Sequence, residues 1–154
     1  MRATCVAVVP AAGRGERVGS SQNKLLLPLA GRPVLAHTLA ALEACPQIAA
    51  IVVAAREEEH PVIAALARDA GITKLQRILN GGDTRQESVY QGIRATPASY
   101  PLVAVHDGAR PLTTPDQIAA CIEAAARVGG ALLALPVTDT LKQIAPGGAR
   151  VACT

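Results

Sequence analysis

Three stretches of this 154-residue chain hold small, polar and charged residues in patterns that chain folding alone does not require. The first runs Pro10-Ala11-Ala12-Gly13-Arg14-Gly15-Glu16-Arg17 and continues to Lys24. Ala11, Ala12, Gly13 and Gly15 are small enough for backbone N–H groups to approach a phosphate closely, and Arg17 and Lys24 add positive charge from outside. Pro10 and Arg14 belong to the same candidate phosphate loop. The second stretch is Asn80-Gly81-Gly82-Asp83-Thr84-Arg85-Gln86-Glu87-Ser88. Its paired glycines free backbone donors and acceptors, while Asp83 and Ser88 offer an acceptor and a donor to the polar edge of a base. Asp83 could equally be a helix N-cap. The third is His106-Asp107-Gly108-Ala109-Arg110-Pro111, in which a carboxylate ends an apolar run. A hard oxygen ligand there suits Mg²⁺ carried by a nucleotide.

Two familiar phosphate motifs do not account for the first stretch. A dinucleotide fingerprint needs G-x-G-x-x-G opening directly into a helix, whereas Val18 follows Gly13 and Gly15 at the third position and Gly19, Ser20 and Ser21 are poor helix formers. A Walker A loop needs G-x-x-x-x-G-K-[ST], which is absent. Nucleic acid is a poor partner as well. Charges of 15 Lys and Arg against 12 Asp and Glu leave only +3, dispersed along the chain, and Tyr90 and Tyr100 are the only aromatics on which a base could stack. Small anionic ligands remain.

Positioning these loops takes alternating strands and helices. Cys5 to Val9, Ile48 to Ala54, Leu102 to His106 and Ala131 to Val137 read as short buried strands, the last of them closing the core, and Leu75 to Leu79 as a weak strand. Helices are expected after Pro33, ending near Cys45, and from Pro61, with Glu57, Glu58 and Glu59 as an acidic cap on the latter. Two more are expected, from Glu87 to Ala95 and from Thr114-Pro115 to a stop at Gly129. This order implies a doubly wound, mostly parallel α/β sheet with ligand loops at the strand carboxyl ends. Thr140 to Ile144 and Ala149 to Cys153, flanking Ala145-Pro146-Gly147-Gly148, read as a β-hairpin outside that sheet. Residues 1–137 thus form a nucleotide-binding core and 138–154 the start of an arm. Cys5, Cys45, Cys121 and Cys153 lack metal-ligand spacing and read as reduced, packed thiols. No apolar run reaches the roughly 18 residues of a membrane span, and no secretory pattern opens the chain, so a cytoplasmic protein with no membrane partner is expected.

The ordered motifs V-V-P-A-A-G-R-G-E-R-V with Lys24, N-G-G-D-T-R-Q-E-S-V, V-H-D-G-A-R-P and P-V-T-D-T-L-K resemble the 2-C-methyl-D-erythritol 4-phosphate cytidylyltransferase family of isoprenoid biosynthesis. The resemblance implies a Rossmann-like nucleotidyltransferase sheet with a protruding arm, and the transfer of CMP from CTP to 2-C-methyl-D-erythritol 4-phosphate with release of pyrophosphate. It implies that the Ala11 to Gly15 backbone holds the triphosphate and part of the cytosine, with Gly82, Asp83 and Ser88 completing the base pocket and Arg85 in the same nucleotide-binding loop. It further implies that Asp107 binds Mg²⁺ and that Arg17 and Lys24 stabilise the transition state. Thr140 would help hold the acceptor across a homodimer whose arms interlock.

Val18 stands where that family usually has Met, and Asn23 where it usually has Pro. The family continues past the point at which Thr154 ends this sequence, through an arm arginine, a metal-binding aspartate and a substrate lysine, so an N-terminal portion of such an enzyme is expected. A cytidylyltransferase for another polyol phosphate, such as ribitol 5-phosphate, shares the nucleotide loops. A non-catalytic nucleotide-binding module is the alternative of another class.

Overall fold

The protein was analysed as a computed structural model that describes residues 4–13, 23–140, 142–144 and 151–153. Strand β1 (Cys5–Pro10) is its axis: Val6, Ala7, Val8 and Val9 are completely buried, as expected of a β-branched run covered on both faces. It pairs in parallel with β4 (Ile48–Ala55) on one edge and β6 (Leu102–Val105) on the other, and β5 (Leu75–Asn80) extends the sheet beyond β4. The order β5-β4-β1-β6 changes direction at β1, so the crevice between the carboxyl ends of β1 and β6 is the switch point of the fold.

Helices cover both faces. Helices α1 (Val34–Ala44), α2 (His60–Asp69) and α4 (Pro115–Val128) bring Leu35, Leu39, Leu42, Ile63, Ile118 and Ile122 onto one face, against Cys5, Ala7, Val9, Ile51 and Val53. Residues of the opposite parity, Val6, Ala50 and Val52, form a smaller cluster on the other face with Tyr100. Helix α3 (Arg85–Arg94) crosses that second face so closely that a Cβ on Gly92 would lie 2.3 Å from Val8 Cγ1. The glycine therefore sets the distance between α3 and β1.

Helix ends follow their sequence signals, with two corrections. Thr114 caps α4 in a reciprocal capping box with Gln117, Pro115 occupies its first turn, and Gly129 ends it at φ +90°. Thr84, not Asp83, caps α3, because its hydroxyl reaches the Glu87 amide and the Glu87 carboxylate returns to the Thr84 amide. The acidic triplet forms a 3₁₀ turn over Glu57–Glu59 and makes no side-chain cap on α2. Its last carboxylate is buried in other bonds instead.

The segment expected as the last core strand, Ala131 to Val137, is not a strand. It is exposed, Leu132 at 80% and Leu135 at 89%, and pairs with no strand among the described residues. An apolar run identifies a segment able to pair, whereas pairing needs a free and correctly placed edge, which is a property of the tertiary structure. A small hairpin not expected from the sequence joins β2 (Pro28–Leu29) to β3 (Arg32–Pro33) through Ala30 at φ +48° and Gly31 at φ +81°, the backbone of a tight primed turn. Pro33 consequently ends β3 rather than starting a helical turn. In the tail, β7 (Gln143–Ile144) and β8 (Val151–Cys153) pair antiparallel, confirming the hairpin in a shorter form. Cys5, Cys45 and Cys121 are free, and burial pushes the Cys5 thiol up to about 11, in keeping with inert packed thiols. No helix among the described residues is long and apolar enough to cross a membrane.

The contact between α3 and β1 yields a stability test. Gly92→Ala must displace the fully buried Val8 side chain and is expected to cost about 1–3 kcal/mol, lowering the midpoint of thermal unfolding by roughly 3–10 °C. An unchanged midpoint would show that α3 can move off the sheet freely.

Candidate active site

At the carboxyl edge of the sheet, a cavity of about 270 Å³ is lined by all three chemically marked stretches. From the end of β1 come Pro10, Ala11, Ala12 and Gly13, and Asn23, Lys24 and Leu25 re-enter beside them. The loop after β5 supplies Gly82, Asp83 and Thr84, the first turn of α3 supplies Arg85 and Ser88, and the loop after β6 supplies Asp107, Gly108 and Ala109. Arg14, Gly15 and Arg17 lie outside the described residues. Thr140 is exposed and does not line the cavity.

Each wall has a local cause. The Ala11 amide donates to Ala54 O at 2.7 Å, carrying the β1–β4 pairing one residue past the strand before the chain turns away. The Gly81 amide donates to Ala55 O at 2.9 Å and draws the loop after β5 back across the end of β4. That return brings Gly81 so near Ala12 that a Cβ there would lie 2.5 Å from Ala12 Cβ, so only glycine lets the two loops touch. Thr38 on α1 donates to Gly108 O at 2.8 Å and anchors the third loop.

Ser88 lines the cavity, and its hydroxyl is engaged by neighbouring backbone. It is buried, its hydroxyl accepts from the Gly82 amide at 3.1 Å, and it stands within donor reach of Thr84 O at 3.0 Å and Gly82 O at 3.3 Å. It fixes the peptide that forms the wall. Asp83 is exposed at the rim of the cavity.

Asp107 is the electrostatic focus. Arg85 donates to its Oδ1 from Nε at 2.9 Å and from Nη2 at 2.7 Å, and Arg110 Nε donates to Oδ2 at 3.2 Å. Partial burial works against the charged form, but the bonds from the two arginines outweigh it and hold the carboxyl below the usual carboxylate range. Next to it, burial pushes His106 below the ordinary imidazole value, which favours its neutral form. Arg110 gave a sequence signal, lying three residues after Asp107, but its pairing depends on the turn geometry. No group of three or more His, Cys, Asp or Glu side chains able to hold a metal occurs among the described residues.

An open parallel sheet with a cavity at its switch point, lined by Lys24 and Arg85 as well as Asp83 and Asp107, is an α/β ligand-binding arrangement, and comparisons with known proteins narrow its class. The 2-C-methyl-D-erythritol 4-phosphate cytidylyltransferase family model matches residues 5–154, and the chain belongs to that family. Relatives bearing that name include those of Pelotomaculum thermopropionicum, 46% identical over 92% of this chain and 60% of the relative, and Thermosynechococcus vestitus, 44% identical over 88% and 58%. The chain thus spans about three fifths of the length of the curated relatives it matches. Among solved structures, a 4-diphosphocytidyl-2C-methyl-D-erythritol synthase from Anaerococcus prevotii superposes with a TM-score of 0.82 at 26% identity, covering all of this chain and 65% of that one. A CMP:2-keto-3-deoxy-manno-octonic acid synthetase complexed with CTP shares the fold at a TM-score of 0.62 and 18% identity, over 82% of this chain and 49% of its own.

The bonding of Ser88 defines a local test. Ser88→Ala removes the acceptor of the Gly82 amide, and hydrogen exchange at Gly82 is expected to quicken about tenfold while the Ala11 amide keeps its rate. Unchanged exchange at Gly82 would assign the Ser88 hydroxyl to another role.

Proposed function

We propose that this chain carries the nucleotide-binding and catalytic face of an enzyme that joins CMP from CTP to 2-C-methyl-D-erythritol 4-phosphate and releases pyrophosphate. The observation that supports it most is the meeting of Lys24, Arg85 and Asp107 in one cavity built from backbone of small residues, within a chain of this family. An acceptor phosphate oxygen attacks the α-phosphorus of CTP, so two anions must be brought together. At about 4 Å and an effective dielectric near 20, each opposite charge is worth roughly 4 kcal/mol against that repulsion. The backbone of Ala12 and Gly13 offers donors to the triphosphate, Lys24 supplies charge where it develops at the α-phosphorus, and Arg85 supplies charge at the rim. Gly82 and Asp83 present the polar atoms that select the base. Mg²⁺ supplies further neutralisation when bound with the nucleotide, and Asp107 is the residue that would hold it. No covalent intermediate is required of the protein.

Arg14 and Arg17 on the phosphate loop, Thr140 as an acceptor contact, a homodimer through the β7–β8 arm and a cytoplasmic setting complete the proposal. The arm argument is physical: an isolated two-stranded ribbon is marginal in water, and a second copy offers its exposed edges a partner.

Pyrophosphate release, measured with CTP and either 2-C-methyl-D-erythritol 4-phosphate or ribitol 5-phosphate, tests the reading. The first acceptor and dependence on Mg²⁺ are expected; activity on ribitol 5-phosphate alone, or CTP binding without turnover, would replace the proposed reaction. Lys24→Ala is expected to lower kcat by about 10²–10³ with a smaller effect on CTP affinity. Near-normal turnover would make Lys24 a surface cation. Sedimentation of the intact and arm-deleted proteins tests the dimer, and tight association without the arm would overturn it.

A further inference from the structure

Beneath the cavity lies a buried polar chain that the proposed reaction does not use directly. Asn23 is 2% exposed and all of its amide is engaged. Its Nδ2 donates to Ala11 O at 3.1 Å and to Glu59 Oε2 at 3.0 Å, and its Oδ1 accepts from the Leu25 amide at 3.1 Å. Glu59, 5% exposed, is held on its other oxygen by Arg56. One side chain therefore ties together the point where the long loop leaves β1, the point where it returns, and the turn that follows β4. The first residue of the 3₁₀ turn capped by that amide is Lys24, on the cavity wall.

A buried carboxylate and a buried amide each cost free energy unless fully bonded, and here each completes the other. Removing Asn23 leaves Glu59 Oε2 and Ala11 O without this donor, and releases both roots of the loop together. Groups that act on a reacting phosphorus must be held closely, because a displacement of about 1 Å can cost roughly a hundredfold in rate.

We infer that Asn23 is a positioning residue, which through the Glu59–Arg56 pair fixes Lys24 and closes the base of the phosphate loop. This inference rests on the cytidylyltransferase reading for its kinetic consequence and on the hydrogen bonds alone for its structural one.

The test uses the intact protein and reverses the polarity of the bond. Asn23→Asp sets two carboxylates face to face in a buried site; adding Glu59→Gln restores the bond between positions 23 and 59 with donor and acceptor exchanged, while Ala11 O stays without its donor. Asn23→Asp is expected to lower kcat at least about tenfold while the KM for CTP shifts less than about threefold, and the double variant to recover part of the loss. Lys24→Ala should be no worse when combined with Asn23→Ala, since both act through the same group. A double variant no better than Asn23→Asp, a change confined to KM, or additive losses would overturn the inference. Amide exchange at Leu25 and Leu26 gives a readout independent of turnover. It should quicken in Asn23→Ala, where the Leu25 amide loses its acceptor, whereas Asn23→Asp keeps an acceptor oxygen there; this holds also if the native protein proves inactive with CTP and the methylerythritol phosphate, which would sink the proposed reaction only. Unaltered exchange in Asn23→Ala would overturn the positioning role whatever the activity, and poor folding of Asn23→Asp that Glu59→Gln does not relieve would do the same.

Discussion

The rest of the molecule depends on strand β1 being enclosed on every side. Its residues are buried on both faces and its two edges are paired with β4 and β6, so no side chain of the strand interior can reach a ligand. Chemistry is displaced to the strand's carboxyl end, where the backbone has lost its sheet partners and Ala11 makes the last such bond. Parallel pairing then puts the ends of β4, β5 and β6 at the same edge, which is why loops far apart in sequence share one cavity. The contact of Gly81 with Ala12 and the bond from Thr38 to Gly108 convert that shared edge into walls at fixed separations.

How much of this was legible in the sequence follows from what each signal measures. Continuous apolar runs mark strands, and β1, β4 and β6 stand within a residue or two of where those runs place them, β1 and β4 buried on both faces and β6 with Val103 and Val105 exposed on one. Capping residues and glycine stops bounded α4 for a local reason, since its capping box and its φ +90° terminus involve only neighbouring residues. Ala131 to Val137 carried the same apolar signal without becoming a strand, because composition states only that a segment can be buried, and the partner edge is decided elsewhere. The β2–β3 hairpin was hidden for the opposite reason, as two prolines and a four-residue ladder leave no periodicity to read.

The cavity was legible in its membership more than in its bonding. Spacing and residue type brought Ala11, Lys24, Gly82, Arg85 and Asp107 to one place, where the structure finds them. What they bond to was not readable. Ser88 turns into its own loop, because a hydroxyl beside two exposed peptides is satisfied at shortest range. Glu59 reads as one of three helix-capping carboxylates, yet it is buried against Arg56 and Asn23, some distance away in sequence. Such pairings depend on where the sheet places the ends of β1 and β4, and no local window contains that information.

The same distinction bears on how the cavity can change its partners. Asp107 is charged at physiological pH and both of its oxygens are taken by arginines, but Arg85 and Arg110 are themselves 63% and 69% exposed. Solvent screens such pairs, and exposed ion pairs are typically worth only about 0–1 kcal/mol. These arginines can therefore leave Asp107 at little cost for another set of anionic oxygens. The buried network under Lys24 has the opposite character. Asn23 and Glu59 are removed from water and bonded to each other, so their contact yields only at the cost of unsatisfied polar groups. Screened pairs at the rim and desolvated bonds at the base thus differ in kind: the first can rearrange at little cost, and the second hold Ala11, Leu25 and the turn after β4 in fixed relation.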